Sequence, residues 1–312
     1  MLEGPILATL LGLALPNLLY LFSVAALILF DGVFVARLGV DALVGATLVF
    51  PFVIATQHLA AGGMGGAVSS AVARALGARD VERAEALAAH AFALAMGLAA
   101  LTTIAMLAFG ATLYGWMGGR GAALEAAVRY STIVFSGALA IYLLNIMSSV
   151  VRGAGDMTRP ALALAAAIFG HVLLSPLLIF GYGPIPALGI AGAAWGLVIS
   201  YGVAAAGVAL YLRGARSPVR LRFAGIAYRW PLLRDFLVVG IPGIVNVGVN
   251  NMGVTLLMAI AAHLGKEAQL GYAIGARLEF IVIPLAFVFG TALVAMVGTN
   301  WGAGQYPRAP MA

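Results

Sequence analysis

The sequence predicts an all-α integral membrane protein, a polytopic bundle of about eight transmembrane helices. Hydrophobic residues make up 63% of the 312 residues and charged residues only 9%, so the chain lacks the polar side chains that cover a soluble domain. The charges are concentrated in short stretches between long apolar runs. This is the pattern expected where a hydrocarbon layer about 30 Å thick excludes ions from about 20 residues at a time.

The apolar runs define eight candidate spans. Each run is bounded by charged residues, glycine or proline, which end or interrupt helices. The predicted spans are residues 6–38, 42–74, 84–115, 122–151, 159–181, 187–212, 232–263 and 270–301. The longest stretch between them, residues 213–234, contains six arginines and is interpreted as a basic cytoplasmic linker between two bundles.

Basic residues are distributed unequally between the two sides of the predicted bundle. The loops after even-numbered spans contain 12 arginines, whereas the loops after odd-numbered spans contain 4 basic residues. Because Lys and Arg near helix ends are retained in the cytoplasm, the amino terminus is predicted to be cytoplasmic. No cleavable signal peptide is predicted, since residues 1–5 lack a basic start and the first apolar run is too long.

The composition also argues against several kinds of chemistry. The chain has no cysteine, which excludes disulfides, thiol catalysis and zinc-finger spacings. The net charge of +6 is explained by topology and does not indicate a nucleic-acid partner. The glycine-rich segment Ala61–Gly66 is not a phosphate loop, because no Lys-Ser/Thr follows it. No catalytic or metal-ligand spacing is found, so we expect neither an enzyme nor a bound cofactor or metal.

An internal repeat indicates how the spans are organised. An offset of 226 residues pairs Leu15-Pro16 with Ile241-Pro242, and an offset of 225 pairs Gly77-Ala78 with Gly302-Ala303. Six spans separate the copies, so both begin on the same side and should be related by an axis along the membrane normal. The predicted organisation is a six-helix lobe (1–212), the linker (213–234) and the first two helices of an incomplete second lobe (235–312).

Several segments together resemble the multidrug and toxic compound extrusion (MATE) transporters. These segments are Asp31–Gly39, Gly77–Asp80, Val151–Asp156, Pro176–Gly181, Ala187–Ala194 and Val297–Gly304. The resemblance implies twelve helices in two six-helix lobes, exchange of protons or sodium for organic cations, and alternating access by rocking of the lobes. It also implies that this chain is truncated after its eighth helix.

Asp31 is a carboxylate that interrupts the first apolar run. A charge near the bilayer centre costs roughly 2.5–3.5 kcal/mol, so its retention indicates either a functional role or a shallow location. The twenty residues of Leu11–Phe30 would leave it at the outer boundary, whereas a helix continuing to Gly39 places it about 12 Å inside. In the MATE family, an acid at the matched position binds the coupling cation.

His171 and Ser175 are one helical turn apart on the fifth span and should share one face. Their positions, about 15 Å and 9 Å in from Gly181, bracket the depth of Asp31. We therefore predict a cation-coupling site in which Asp31 accepts a proton and His171 is a second titratable group. Family members often have Asn and Asp at the matched positions, and the missing acid favours protons over sodium. The alternative is a histidine hydrogen-bonded between helices.

Four further polar residues are predicted to line the substrate cavity. Asn145 and Ser148 share a face of the fourth span and match polar pocket positions of the family. Asn246 and Asn250 on the seventh span could line the space between the lobes. Packing or hydrogen bonding between helices explains all four as an alternative.

These expectations describe a monomeric antiporter in a prokaryotic inner membrane, which exports small cationic or amphiphilic drugs in exchange for protons or sodium by alternating access. One alternative is a lipid-linked oligosaccharide flippase of the same superfamily, a class that handles anionic head groups and tends to have arginines in the cavity. The first-lobe cavity candidates include Asp31 and no arginine, which favours a cationic cargo. The other alternative is a membrane fragment that transports nothing.

Overall fold

The computed structural model describes residues 5–184, 186–222, 229–264 and 287–307. These ranges are almost entirely helical. The helices are α1 Ile6–Ala36, α2 Val40–His58, α3 Met64–Gly77, α4 Val81–Trp116, α5 Gly121–Ser136, α6 Ala138–Gly153, α7 Thr158–Phe180, α8 Ile190–Arg213, α9 Trp230–Leu264 and α10 Phe287–Gly302. A helical bundle of this kind is the predicted fold class.

The helices follow the predicted spans closely where both can be compared. Each of the first seven predicted spans coincides with one helix or with two consecutive helices. Most of the eighth span, residues 270–286, lies outside the described residues. Within the described ranges, four helical segments are long and apolar enough to cross a membrane, or five if α5 and α6 are counted as one bent span.

The second span contains a π-helix, Leu59–Gly63, between α2 and α3. Glycines around it allow close helix packing, as is common in membranes. A Cβ atom built at Gly63 would lie 2.7 Å from the Ile244 Cγ1 of α9, and one at Gly65 would lie 2.6 Å from the Ser149 Oγ of α6. The glycine-rich segment therefore lies in close contact with α9 and α6.

The fourth span is not one straight helix, because α5 and α6 are bent by 46°. The bend falls at Gly137, where an added Cβ would lie 2.5 Å from the side chain of Val198 on α8. A bend can free helix carbonyls in a medium without water, and here the Thr103 hydroxyl of α4 donates to the Phe135 carbonyl at 2.6 Å. The interruption is stabilised by two neighbouring helices.

The core of the first lobe surrounds α6, which packs against α3, α4 and α8. Most of its side chains are buried, among them Ile141, Leu144 and Met147. The buried Tyr142 hydroxyl forms a hydrogen bond of 2.8 Å with Thr102 Oγ1 on α4, so its polar end is satisfied inside the bundle. α7 packs against α8 on one side and against α1 on another.

The two halves of the chain meet where α3 contacts α10. A Cβ built at Gly298 would lie 2.9 Å from the Ala73 Cβ. These two residues are 225 residues apart, which is the repeat offset. Equivalent positions of the two copies therefore touch each other, which is the contact expected on a local two-fold axis.

Candidate functional site

The predicted coupling residues lie on two helices that pack together, α1 and α7. Asp31 is in α1, five residues before its end, but its side chain lies outside the described residues. The proximity of Asp31 to His171 therefore stays a prediction.

His171 and Ser175 form a buried pair on α7, each only 1% exposed. The Ser175 Oγ and the His171 Nδ1 are 3.1 Å apart, which confirms that the two side chains share one face. α8 packs closely here, because a Cβ built at Gly196 would lie 2.9 Å from the Ser175 Oγ. The imidazole and the hydroxyl are therefore buried together inside the bundle, where polar side chains are costly unless they are hydrogen-bonded.

The predicted cavity residues on α6 are buried in the core of the first lobe. The Asn145 side-chain amide donates to the Ile141 carbonyl of its own helix at 2.9 Å. Ser148 is fully buried, and its Oγ has no hydrogen-bond partner within the described part of the chain. Neither residue lines either of the two cavities described below. Their predicted role as substrate contacts stays a prediction.

The predicted cavity residues on α9 lie elsewhere. Asn246 is exposed on this helix. Asn250 is also in α9, but its side chain is outside the described residues. Neither of them lines the two cavities.

Arg152 is a residue that the sequence interpretation missed. Its charge suggested a loop after the fourth span, but it lies in the last turn of α6 and is only 3% exposed. Its Nη2 donates to the Ser149 Oγ at 2.7 Å, and Ser149 donates to the Asn145 carbonyl at 2.9 Å. The segment Val151–Asp156 was the signal available in the sequence.

Arg152 lines a cavity of about 230 Å³ between α3 and α10. None of the residues predicted to line a cavity in the first lobe is an arginine, whereas Arg152 supplies a positively charged side chain to this cavity. The cavity is lined by Ala61, Gly62, Gly65, Gly66, Ser69, Arg152, Phe287, Gly290, Thr291 and Val294. We call it the interlobe cavity.

The interlobe cavity lies at the interface of the two sequence copies. Four pairs of its lining residues are separated by the repeat offset of 225: Gly62 and Phe287, Gly65 and Gly290, Gly66 and Thr291, and Ser69 and Val294. A cavity bounded by equivalent positions of both copies is the arrangement expected on a local two-fold axis. Substrate sites of repeat-built transporters lie at such interfaces.

A second cavity of about 490 Å³ lies where α9 begins, beside the end of α3 and the start of α4. Its charged lining residues are Arg74, Arg83, Arg234 and Asp235. The Arg83 Nη2 and the Asp235 Oδ2 are 3.3 Å apart, with both side chains about half exposed. Exposed pairs of this kind contribute little stability, about 0–1 kcal/mol.

Curated relatives of this chain are transporters and drug-resistance proteins. The chain is 29% identical to an FAD transporter of Shewanella oneidensis over 100% of its own length and 69% of that protein. It is 29% identical to the probable multidrug resistance protein NorM of Thermotoga maritima, covering 58% of this chain and 39% of that one. It is 23% identical to the multidrug export protein MepA of Staphylococcus aureus, and this match covers 75% of this chain and 51% of MepA. The chain thus spans about two thirds or less of the length of these relatives.

Solved structures of MATE transporters have the same fold. A MATE crystal structure in the bent conformation matches with a TM-score of 0.92 and 27% identity, over 100% of this chain and 69% of that one. A transporter of the MOP superfamily from Pyrococcus furiosus, described as having a binding pocket of reverse polarity, matches with a TM-score of 0.90 and 28% identity, over 99% and 68%.

A family match covers the first half of the chain and confirms the resemblance seen in its motifs. The MatE family model matches residues 16–177, from the middle of α1 to the end of α7. Members of this family are multi-pass membrane transporters and not enzymes. The chain belongs to the MatE family of multidrug efflux transporters.

Proposed function

We propose that this chain forms the larger part of a secondary active antiporter that exports small organic compounds, drugs and organic cations among them, in exchange for protons or sodium. The observation that carries this proposal is the buried His171–Ser175 pair on α7. The chain belongs to a drug-export family, and its helix α1, which packs against α7, contains Asp31. Ionisable side chains inside membrane helices are costly and mark ion pathways.

The exchange has a simple electrostatic basis. A carboxyl group that is removed from water is favoured in its neutral, protonated form, whereas a bound cation favours the ionised form. A proton and a cationic compound therefore compete for the same carboxylate. Proton entry from one side would release the compound to that side.

The close contact between α3 and α10 supports a substrate route that is open to only one side of the membrane. If the amino terminus is cytoplasmic, the ends of α3 and α10 face the cytoplasm and their close packing blocks passage there. Alternating access would then require the halves of the chain to separate at this contact.

Proteoliposomes containing the purified 312-residue chain test this function. We expect uptake of a fluorescent lipophilic cation to follow an imposed pH gradient, and expect Asp31→Asn to abolish it. Asp41→Asn, at an exposed carboxylate in the first turn of α2, is the matched control and should retain uptake. A parallel experiment with a sodium gradient distinguishes the two coupling ions. Undiminished uptake by Asp31→Asn would refute the proposed role of this residue.

A second cargo class is a flavin nucleotide. A relative that matches along the whole of this chain is an FAD transporter, and the buried Arg152 supplies a positive charge in the interlobe cavity. The oligosaccharide flippase remains an alternative for the same reason, since its cargo is also anionic. Gradient-dependent uptake of a water-soluble compound into proteoliposomes would favour the transporter over the flippase.

A further inference from the structure

We propose that the second cavity, which lies where α9 begins, is a binding site for an anionic phospholipid. We call it the α9 cavity; its volume is about 490 Å³, within the range of roughly 300–1,000 Å³ that is usual for ligand sites. The arginines of the cavity bind the lipid phosphate, and the apolar face of α9 that begins in the cavity contacts an acyl chain. This binding does not depend on the proposed antiport.

The charge of the α9 cavity is the first argument. Three helices each supply one arginine to its lining, namely Arg74 of α3, Arg83 of α4 and Arg234 of α9. Among the described residues that line it, the one carboxylate is that of Asp235, and its Oδ2 lies 3.3 Å from the Arg83 Nη2. One carboxylate cannot neutralise three guanidinium groups, so the lining attracts a further anion. Guanidinium groups match phosphate oxygens through pairs of parallel hydrogen bonds.

The position of the α9 cavity is the second argument. The end of α3, the start of α4 and the start of α9 meet here, at the end of the bundle where the arginine-rich linker joins α9. Basic pockets between membrane helices on the side rich in Lys and Arg bind lipid head groups. Trp230 is the first residue of α9 and is 64% exposed, and tryptophan is enriched at the level of the head groups. The cavity therefore lies where a lipid phosphate is expected.

An exposed apolar stripe on α9 is the third argument. It consists of Val238, Ile241, Val245 and Val249, all of which are exposed. Spacings of three and four residues place them on one helix face with Arg234. From Val238 to Val249 the stripe is about 16 Å long at 1.5 Å per residue, close to the roughly 15 Å of hydrocarbon in one leaflet. A lipid whose phosphate lies at Arg234 can therefore place an acyl chain along the whole stripe.

Two lipids that differ in head-group charge test the proposal. Phosphatidylglycerol and phosphatidylcholine with identical acyl chains both contain a phosphate, but only phosphatidylglycerol has a net negative charge. Native mass spectrometry of the purified 312-residue chain in nonionic detergent measures the fraction that retains one molecule of each lipid. We expect the chain to bind phosphatidylglycerol more tightly by at least about fivefold, the factor that one basic residue contributes near anionic head groups.

Four variants locate the site. Arg83→Gln and Arg234→Gln should each bind phosphatidylglycerol about fivefold more weakly; the Arg234 side chain is exposed, so its replacement should not affect folding. Arg216→Gln removes an exposed arginine of the linker that does not line the α9 cavity, and this control should bind as the unmodified chain does. Asp235→Asn breaks the same ion pair as Arg83→Gln but removes a charge that repels phosphate, so we expect it to bind phosphatidylglycerol more tightly.

Several results would overturn the proposal. One is equal binding of the two lipids by the unmodified chain, and another is unchanged affinity in folded Arg83→Gln and Arg234→Gln chains. Weaker binding by Asp235→Asn would show that the ion pair supports the fold and that the charges do not select the lipid. An equal loss of affinity in Arg216→Gln would reveal non-specific attraction. Glycerol 3-phosphate has the phosphate without acyl chains, and displacement of the lipid by an equal concentration of it would refute a lipid site.

Discussion

Gly77 and Gly302 occupy equivalent positions of the two sequence copies, and each lies against the backbone of the other's helix. A Cβ built at Gly77 would lie 2.2 Å from the Thr299 carbonyl oxygen, and one built at Gly302 would lie 2.1 Å from the Arg74 carbonyl oxygen. Arg74 and Thr299 are themselves 225 residues apart. The contact is therefore reciprocal, and only a residue without a side chain allows it at either position.

Crosslinking tests whether this contact must open during transport. The cysteine pair Ala73→Cys and Gly298→Cys would join α3 to α10. The Ala73 Cβ lies 2.9 Å from a Cβ built at Gly298, so the two positions need to separate only slightly to reach the Cβ–Cβ distance of a disulfide, roughly 3.5–4.5 Å. The chain has no native cysteine to interfere. We expect oxidation to stop gradient-driven uptake in proteoliposomes and reduction to restore it.

A crosslink inside the first lobe is the matched control. The Cβ of Ala140 on α6 lies 3.9 Å from a Cβ built at Gly202 on α8. The corresponding cysteine pair should form a disulfide without affecting uptake, because the lobe moves as one unit in the proposed cycle. Continued uptake by fully crosslinked Ala73→Cys and Gly298→Cys chains would contradict the opening of this contact.

Replacing Gly77 should weaken the packing of α3 on α10. In Gly77→Ala the new methyl group overlaps the Thr299 carbonyl, and overpacking of this kind costs about 1–3 kcal/mol. We expect a lower thermal unfolding temperature and slower disulfide formation between residues 73 and 298. Gly97→Ala on α4, where an added Cβ meets no atom within 4 Å, is the control and should not destabilise the chain. Equal unfolding temperatures for the two variants would show that the contact adapts at no cost.

The limits of most helices could be predicted from the sequence, because the length of an apolar run is fixed by the thickness of the bilayer. The third span was predicted as 84–115 and α4 is Val81–Trp116. The bend at Gly137 could not be predicted in this way. It depends on Val198 and Thr103, which are distant in sequence and contact the bend only in the folded bundle.

The candidate site was harder to predict than the fold. Helical spacing was sufficient to place His171 and Ser175 on one face, because it is a property of a single helix. Arg152 follows the fourth apolar run, and its charge predicts a loop, because charged side chains are mostly exposed to solvent. The structure buries it at the interface with α10, and the repeat offset was the feature of the sequence that pointed to this interface.

The pH dependence of transport tests the role of His171. His171→Gln retains a side chain that can reach Ser175 but cannot titrate. If His171 takes part in proton coupling, uptake by this variant should respond less to an imposed pH gradient than uptake by the unmodified chain. Ser175→Ala leaves the imidazole in place and should keep the pH profile. A His171→Gln profile that superimposes on that of the unmodified chain would assign the histidine to packing.

A hydrogen bond to His90 joins the residue before α9 to α4. His90 is buried on α4; its Nδ1 lies 2.7 Å from the Ala86 carbonyl oxygen and its Nε2 accepts from the Arg229 backbone N–H at 2.8 Å. Replacing it with phenylalanine removes the acceptor, so the chain before Trp230 should detach more often from α4. We expect trypsin to cleave the arginine-rich residues 213–229 several times faster in His90→Phe, because limited proteolysis follows local opening. The control Gly97→Ala on the same helix should be cleaved at the original rate, and equal cleavage of all three chains would show that this hydrogen bond does not hold the linker.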